Sequence, residues 1–248
     1  MSAVVWLGPS CPRRLAREAL PEAEFRPPIR HGDVWRALEE RRRPRVLVVI
    51  DGVFEQIPAV WHKELLEALA EGLHVLGAAS MGALRAAELH AFGMVGVGRI
   101  FEKFRDGVWL DDDEVALMHG PAEAGYPNLS LPMANVRATL DAAEAAQVLE
   151  AEAAQRIAGA AKRIFHADRT WGAVDAASAE AGVATKTLDI FRAWRSQGAV
   201  DQKRADALEA LALAKALLRE HPAPVARDFT LERTDLAEHA KRIALERE

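Results

Sequence analysis

The chain has 248 residues, half of them apolar, which is enough for one or two domains with a substantial core and excludes disorder as its general state. Its formal net charge is −5 with both signs interspersed, which argues against a nucleic-acid partner, and no apolar run approaches the length of a membrane span. One cysteine, Cys11, excludes an intrachain disulfide and a cysteine-rich zinc site; with no signal-peptide pattern at the amino terminus, the chain reads as soluble and cytoplasmic.

Ala3 to Leu7 is a continuous apolar run stopped by Gly8-Pro9, the pattern of a strand buried on both faces. A helix follows from Arg13 to Leu20. Phe25-Arg26, held before Pro27-Pro28, reads as a brief edge strand, and Asp33 to Glu40 as a helix. Arg45 to Ile50 is β-branched and closes on Asp51-Gly52, the clearest strand of the chain. Pro58 then opens a helix whose buried stripe is Trp61, Leu65, Ala68 and Leu69, and Gly72 ends it. Leu73, Val75 and Leu76 form the next strand. From Met81 the spacing of Leu84, Ala87 and Ala91 is helical, so Ser80 stands at a strand-to-helix junction.

Strands alternating with helices at these intervals predict an α/β fold, a Rossmann-like parallel sheet with helices on both faces. The carboxyl ends of such strands share one edge, and ligands bind in the crevice beyond it. Ser10, Cys11, Asp51, Gly52 and Ser80 are the residues delivered there.

Two readings of Ser80 are open. As an N-cap it would accept a hydrogen bond from Ala83, worth about 1 kcal/mol. As a nucleophile it would sit where the unpaired N–H groups of a helix start stabilise negative charge. The small residues Gly77, Ala78, Ala79 and Gly82 would let a substrate carbonyl approach closely. Ala78-Ala79-Ser80-Met81-Gly82 follows the G-x-S-x-G elbow with alanine in place of the first glycine.

Gly93, Gly96 and Gly98 read as turn residues, followed by a short helix over Arg99 to Phe104. The run Asp111-Asp112-Asp113-Glu114 reads as a solvated turn, a hard-cation site being the other reading. If Val115 to Met118 were a strand parallel to the others, His119 would reach the edge that carries Ser80. Past Pro132 the chain is rich in Ala, Glu and Arg, with roughly six helical stretches and Leu208, Leu211, Ala214 and Leu218 on one apolar stripe. We therefore divide it into an α/β region over 1–132 and an all-α carboxyl-terminal region over 133–248, the latter for packing, dimerisation or partner binding. Trp171, Phe191 and Trp194 are assigned to its core.

The strings Asp51 to Glu64, Gly77 to Leu89, Phe92-Gly93-Met94, Asp112 to Ala116 and Asn135-Val136-Arg137 resemble the TfuA-like family, and Gly8-Pro9-Ser10, Pro27-Pro28 and Gly32-Asp33 resemble its amino-terminal part. The resemblance is dense from Val46 to about Arg137 and says nothing about the helical tail. It implies a protein that acts beside YcaO enzymes, which use ATP to activate a peptide backbone amide and insert sulfur. The family member's part would be to hydrolyse the thiocarboxylated carboxyl terminus of a ThiS-like carrier, release sulfide and engage YcaO directly. The partners so implied are YcaO and the carrier, with the precursor peptide and a homo-oligomer left open, and neither cofactor nor metal is called for.

Hydrolysis of a thiocarboxylate is acyl transfer, which suits a serine at a helix start. In this reading Ser80 attacks, N–H groups near Met81 and Gly82 hold the oxyanion, and His119 or else His62 takes the proton. Asp51 orients that base or activates water, though an Asp-Gly turn acceptor explains it equally well. Ser10, Gly52, Gly77 and Glu88 complete the expected substrate-binding set. Arg85 either pairs with Glu88 three residues on or receives the carboxylate of the carrier tail. A competing class is a non-catalytic adaptor that docks on YcaO and holds the carrier. Nucleotide-dependent transfer is disfavoured because no G-x-x-x-x-G-K-[ST] loop occurs.

Overall fold

The computed structural model describes residues 2–53, 57–220, 223–224 and 227–246. Phe54, Glu55 and Gln56, part of the string that carries the family resemblance, lie outside the described residues. The chain groups into two compact units, one formed by residues 1–110 with 204–248 and the other by 111–203.

The first unit is built on a five-stranded, all-parallel sheet in the order β2-β1-β3-β4-β5, with β1 Ala3–Trp6, β2 Glu24–Arg26, β3 Val46–Val49, β4 His74–Ala78 and β5 Val95–Val97. Helices α1 Arg13–Ala19, α2 Asp33–Glu39, α3 His62–Ala70, α4 Met81–Leu89 and α5 Gly98–Arg105 alternate with the strands. This is the Rossmann-like architecture expected from the alternation of apolar runs and helical stripes. Every residue of β1 and β3 is buried, as continuous apolar strands covered on both faces require. One face, made by Ala3, Val5, Val46, Val48, Leu76 and Ala78, packs with Ala16 of α1 and with Ala207, Leu211, Ala214 and Leu218. Those last four belong to α10, Gln202–Glu220. The final helix, α11 Asp235–Glu246, docks on α2, where Arg36 bonds the Ala244 carbonyl at 2.8 Å.

Both carboxyl-terminal helices thus belong with the sheet, so the grouping differs from a division at Pro132. Composition marks where strands stop; it cannot mark which helices return to cover them. The second unit contains α6 Met133–Ala145, α7 Ala151–Lys162, α8 Trp171–Glu180 and α9 Thr185–Gly198, packed around Val136, Leu140, Ile157, Val174 and Phe191. Phe191 is fully buried there with Trp171 and Trp194 against it. Among the described residues no helix is long and apolar enough to cross a membrane.

Three local expectations are corrected. The third helix starts at His62 and not at Pro58, because residues 58–61 form no regular element and are tied sideways: the Pro58 carbonyl accepts from His31 N–H and the Val60 carbonyl from Arg85. Gly96 is no turn residue but the centre of β5, paired with Gly77; a three-residue strand with glycine in the middle has no readable period. Val115 to Met118 is not a strand. A single 3₁₀ turn over Asp112–Glu114 leads into irregular chain, and the only pairing nearby is an antiparallel bridge from His119 to Asn128.

Glu64 locks two helix starts together. One carboxylate oxygen accepts from Gly32 and Val34 at the head of α2, and the other from Trp61 N–H just before α3. Burial pushes its pKa from 4.5 up to about 7, outweighing the three donors that favour the charged form. Because the folded pKa lies above the unfolded one, this contribution to stability is complete below pH 4.5 and is lost as pH rises through about 7. Denaturant unfolding across that window should show a fall on the order of 3 kcal/mol from this group, and Glu64→Gln should lack it. An unchanged slope in Glu64→Gln would show that the carboxyl does not titrate there.

Candidate active site

The order in which strands are added reverses at β1, since β2 lies on one side of it and β3 on the other. The crevice of such a sheet opens at that switch point, beyond the carboxyl ends of the strands. Three turns meet on this rim: Leu7 to Pro12 after β1, Ile50 to Val53 after β3, and Ala79-Ser80 after β4.

Asp51 fastens the first turn to the second. Its Oδ2 accepts from Gly8 N–H at 2.8 Å and Ser10 N–H at 3.1 Å, and its Oδ1 from the Ser10 hydroxyl at 2.6 Å. The Asp51 side chain is committed to these three donors, and Asp51 and Ser10 are 1% and 2% exposed. This arrangement holds the β1 loop; the carboxylate would have to leave it to act as a base. Cys11 is buried as well.

Ser80 is partly exposed and lies between β4 and α4 as the sequence indicates. Ala79 before it has φ 64°, a left-handed conformation that costs a residue with a side chain about 1 kcal/mol or more. Ser80 itself has φ −133° and ψ −122°, and its side chain makes no capping bond to the helix. The N-cap reading is therefore overturned: Ala83 N–H donates to the backbone carbonyl of Ser80, at 2.9 Å, and not to its hydroxyl. A strained turn that presents a hydroxyl at a helix start is the geometry of a nucleophile elbow.

The glycines serve this turn by close approach. A methyl on Gly82 would overlap the carbonyl oxygen of Val49, and one on Gly77 the carbonyl oxygen of Gly82, so β3, β4 and the start of α4 touch through backbone. A methyl on Gly52 would meet the Met81 side chain at 2.6 Å. Gly82→Ala should destabilise the fold by about 3 kcal/mol, because the obstacle is backbone that cannot rotate away. A urea midpoint within error of wild type would overturn that contact. The same packing decides the amides. Gly82 N–H donates to the Ile50 carbonyl at 3.2 Å, which corrects its expected role as an oxyanion donor, while no acceptor among the described residues is bonded to Met81 N–H.

His62, Arg85 and Glu88 form a separate cluster where α3 and α4 meet. His62 Nε2 and Arg85 Nη1 each lie 2.7 Å from Glu88 Oε2, and Arg85 Nε donates to the Val60 carbonyl at 3.1 Å. Burial opposes it, but His62 and Arg85 hold the Glu88 carboxyl below its ordinary range. Of the two readings of Arg85, pairing with Glu88 is the one found.

His119 belongs to the second unit, so the strand that was to carry it to the rim does not exist. Its Nδ1 lies 2.8 Å from the Gly120 carbonyl, and its ring stands edge-on to Tyr126. The acidic run in the same unit is a turn solvated only at Asp111 and Asp112, its other two carboxylates being drawn into an ion-pair network. Arg137 grips Glu114 through two bonds of 2.8 and 2.9 Å, Arg169 reaches both oxygens of Asp113, and Lys162 lies within 3.2 Å of Asp111, Asp113 and Glu114. Burial works against Asp113, but Arg169 and Lys162 keep its carboxyl below the usual range. Arg169 is wholly buried and also bonds the carbonyls of Leu131, Ala161 and Ile164. Nothing in the sequence around Asp168-Arg169-Thr170 singles this residue out.

Residues 51–170 match the family model described as TfuA-like protein, and no curated protein matches the chain. The match begins at the carboxylate that fastens the rim and ends one residue past the buried arginine.

Proposed function

We propose that the chain, whose residues 51–170 match the TfuA-like family model, acts in the YcaO thioamide system by hydrolysing a thiocarboxylate at Ser80 and releasing sulfide. The observation that carries this reading is the strained Ala79-Ser80 turn, which places a partly exposed serine between β4 and the start of α4. A thiocarboxylate on the flexible tail of a ThiS-like carrier is the substrate that suits a serine flanked by the small residues Ala79 and Gly82.

In this reading the Ser80 oxygen attacks the thiocarboxyl carbon, and the carbonyl oxygen takes up negative charge beside Met81 N–H, a donor of the kind that contributes about 3 kcal/mol. The carbon–sulfur bond then breaks. The serine proton ends on the departing sulfur, giving hydrosulfide and an acyl-serine with no net charge change. Water next opens the ester, restoring Ser80 and leaving the carrier as an ordinary carboxylate plus one proton. Because a thiocarboxylate sulfur becomes a base as its bond to carbon breaks, the substrate itself can accept the proton for which His119 or His62 was invoked. Asp51 acts through position, keeping the Gly8-to-Ser10 loop in place along the rim.

The test is to incubate the purified chain alone with thiocarboxylated carrier and follow sulfide and carrier mass. Sulfide with conversion of the carrier to its carboxylate supports hydrolysis. Carrier binding without sulfide would mean an adaptor that holds the carrier for YcaO.

A further inference from the structure

The opposite, amino-terminal edge of the same sheet gathers positive charge. His74 opens β4, and its N–H bonds the Arg45 carbonyl at 3.0 Å just before β3. On its other side β5 pairs Val95 with Leu76, and Gly93 lies two residues before Val95 as His74 lies two before Leu76. The guanidinium of Arg227 lies directly on Gly93: a methyl there would come within 2.7 Å of its Nη1. The segment carrying Arg227 is pinned by Phe229, whose ring meets Phe92 edge-on at 5.5 Å.

Two polar atoms in this cluster are unsatisfied. Arg227 Nε and His74 Nε2 are both buried from solvent with no hydrogen-bond partner among the described residues. Among the described residues no carboxylate pairs with Arg227, and its neighbour Asp228 is exposed. Burial lowers the Arg227 pKa from its ordinary value. Burial, then the charges of Arg227 and Arg45, lowers that of His74, with a bond to the Ala223 backbone opposing them. A partly buried guanidinium beside another basic side chain, with no carboxylate paired to it among the described residues, is costly unless an anion completes it.

We propose that this edge of the sheet is a binding site for a small tetrahedral oxyanion, of phosphate or sulfate type, held by Arg227 and His74 with Arg45 adding charge. The ligand would accept from Arg227 Nε and, drawing a proton onto the His74 ring, from His74 Nε2–H. The site lies at the other end of the strands from Ser80, so it neither depends on the hydrolytic reading nor shares a residue with it.

Calorimetric titration of the full chain with sodium sulfate and sodium phosphate, at ionic strength held constant with chloride, tests this. Saturable one-site binding is expected, with acetate much weaker, and Arg227→Gln should weaken sulfate binding about tenfold or more, as the loss of a bond to a charged group does. His74→Gln should weaken it less, and Arg14→Gln, on exposed α1, not at all. Should Arg227→Gln fail to fold, Arg227→Lys keeps the charge but removes the Nε donor, and a sulfate affinity equal to wild type would then overturn the site. Absence of saturable binding, or acetate binding as tightly as sulfate, would overturn it too.

Discussion

Ser80→Ala is expected to lower sulfide release from a thiocarboxylated carrier by about a thousandfold or more, the scale on which loss of a nucleophile acts. Carrier binding should stay within about threefold, because the rim is built from backbone and from Asp51 rather than from this hydroxyl. The fold should tolerate the change, since the side chain contributes no cap to α4 and the turn is held by bonds from Ala83 and Leu84 to the Ser80 carbonyl. Sulfide release and the thermal midpoint, read on the same preparation, separate chemistry from stability. Hydrolysis by Ser80→Ala at the wild-type rate would remove serine from the mechanism and leave an attack by water.

Asp51→Ala is expected to cost about 4 kcal/mol of stability, more than any other single change on the rim. It strands Gly8 N–H, Ser10 N–H and the Ser10 hydroxyl in a place where neither Ser10 nor Asp51 meets solvent. Each buried donor without an acceptor costs about 1–3 kcal/mol, and the hydroxyl can recover part of its share by rotation. Asp51→Asn keeps one acceptor oxygen for the two amides and should cost only about 1–2 kcal/mol. The pair of variants also bears on mechanism. If Asp51 acts by position, Asp51→Asn retains sulfide release within about tenfold in proportion to its folded fraction. If it activates water, Asp51→Asn loses nearly all activity while still folded, and the serine mechanism falls.

Much of the first unit was legible because its signals are local. Ala3 to Leu7 and Arg45 to Ile50 are apolar without a break, which only a strand covered on both faces tolerates, and from Met81 the apolar residues recur at helical spacing. Strand followed by helix then dictates parallel pairing and right-handed crossovers, and with them the edge where Ser10, Asp51 and Ser80 arrive. Strand β5 escaped because Val95-Gly96-Val97 is too short to show a period, and its glycine is required by Phe101, whose ring fills the place of a side chain.

What the sequence by itself determined is the parallel sheet, the strand-to-helix junction at Ser80 and the resemblance of residues 51–170 to the TfuA-like family model. The tertiary structure alone decided how the polar groups are spent: Asp51 on the β1 loop, Arg85 on Glu88, Gly82 N–H on Ile50, and the acidic run on Arg137, Lys162 and Arg169. The reason is range. Strand and helix periods are set by neighbours within a few residues, whereas a buried carboxylate takes whichever donor the fold brings within 3 Å, and for Asp51 those donors lie 41 and 43 residues away in the chain.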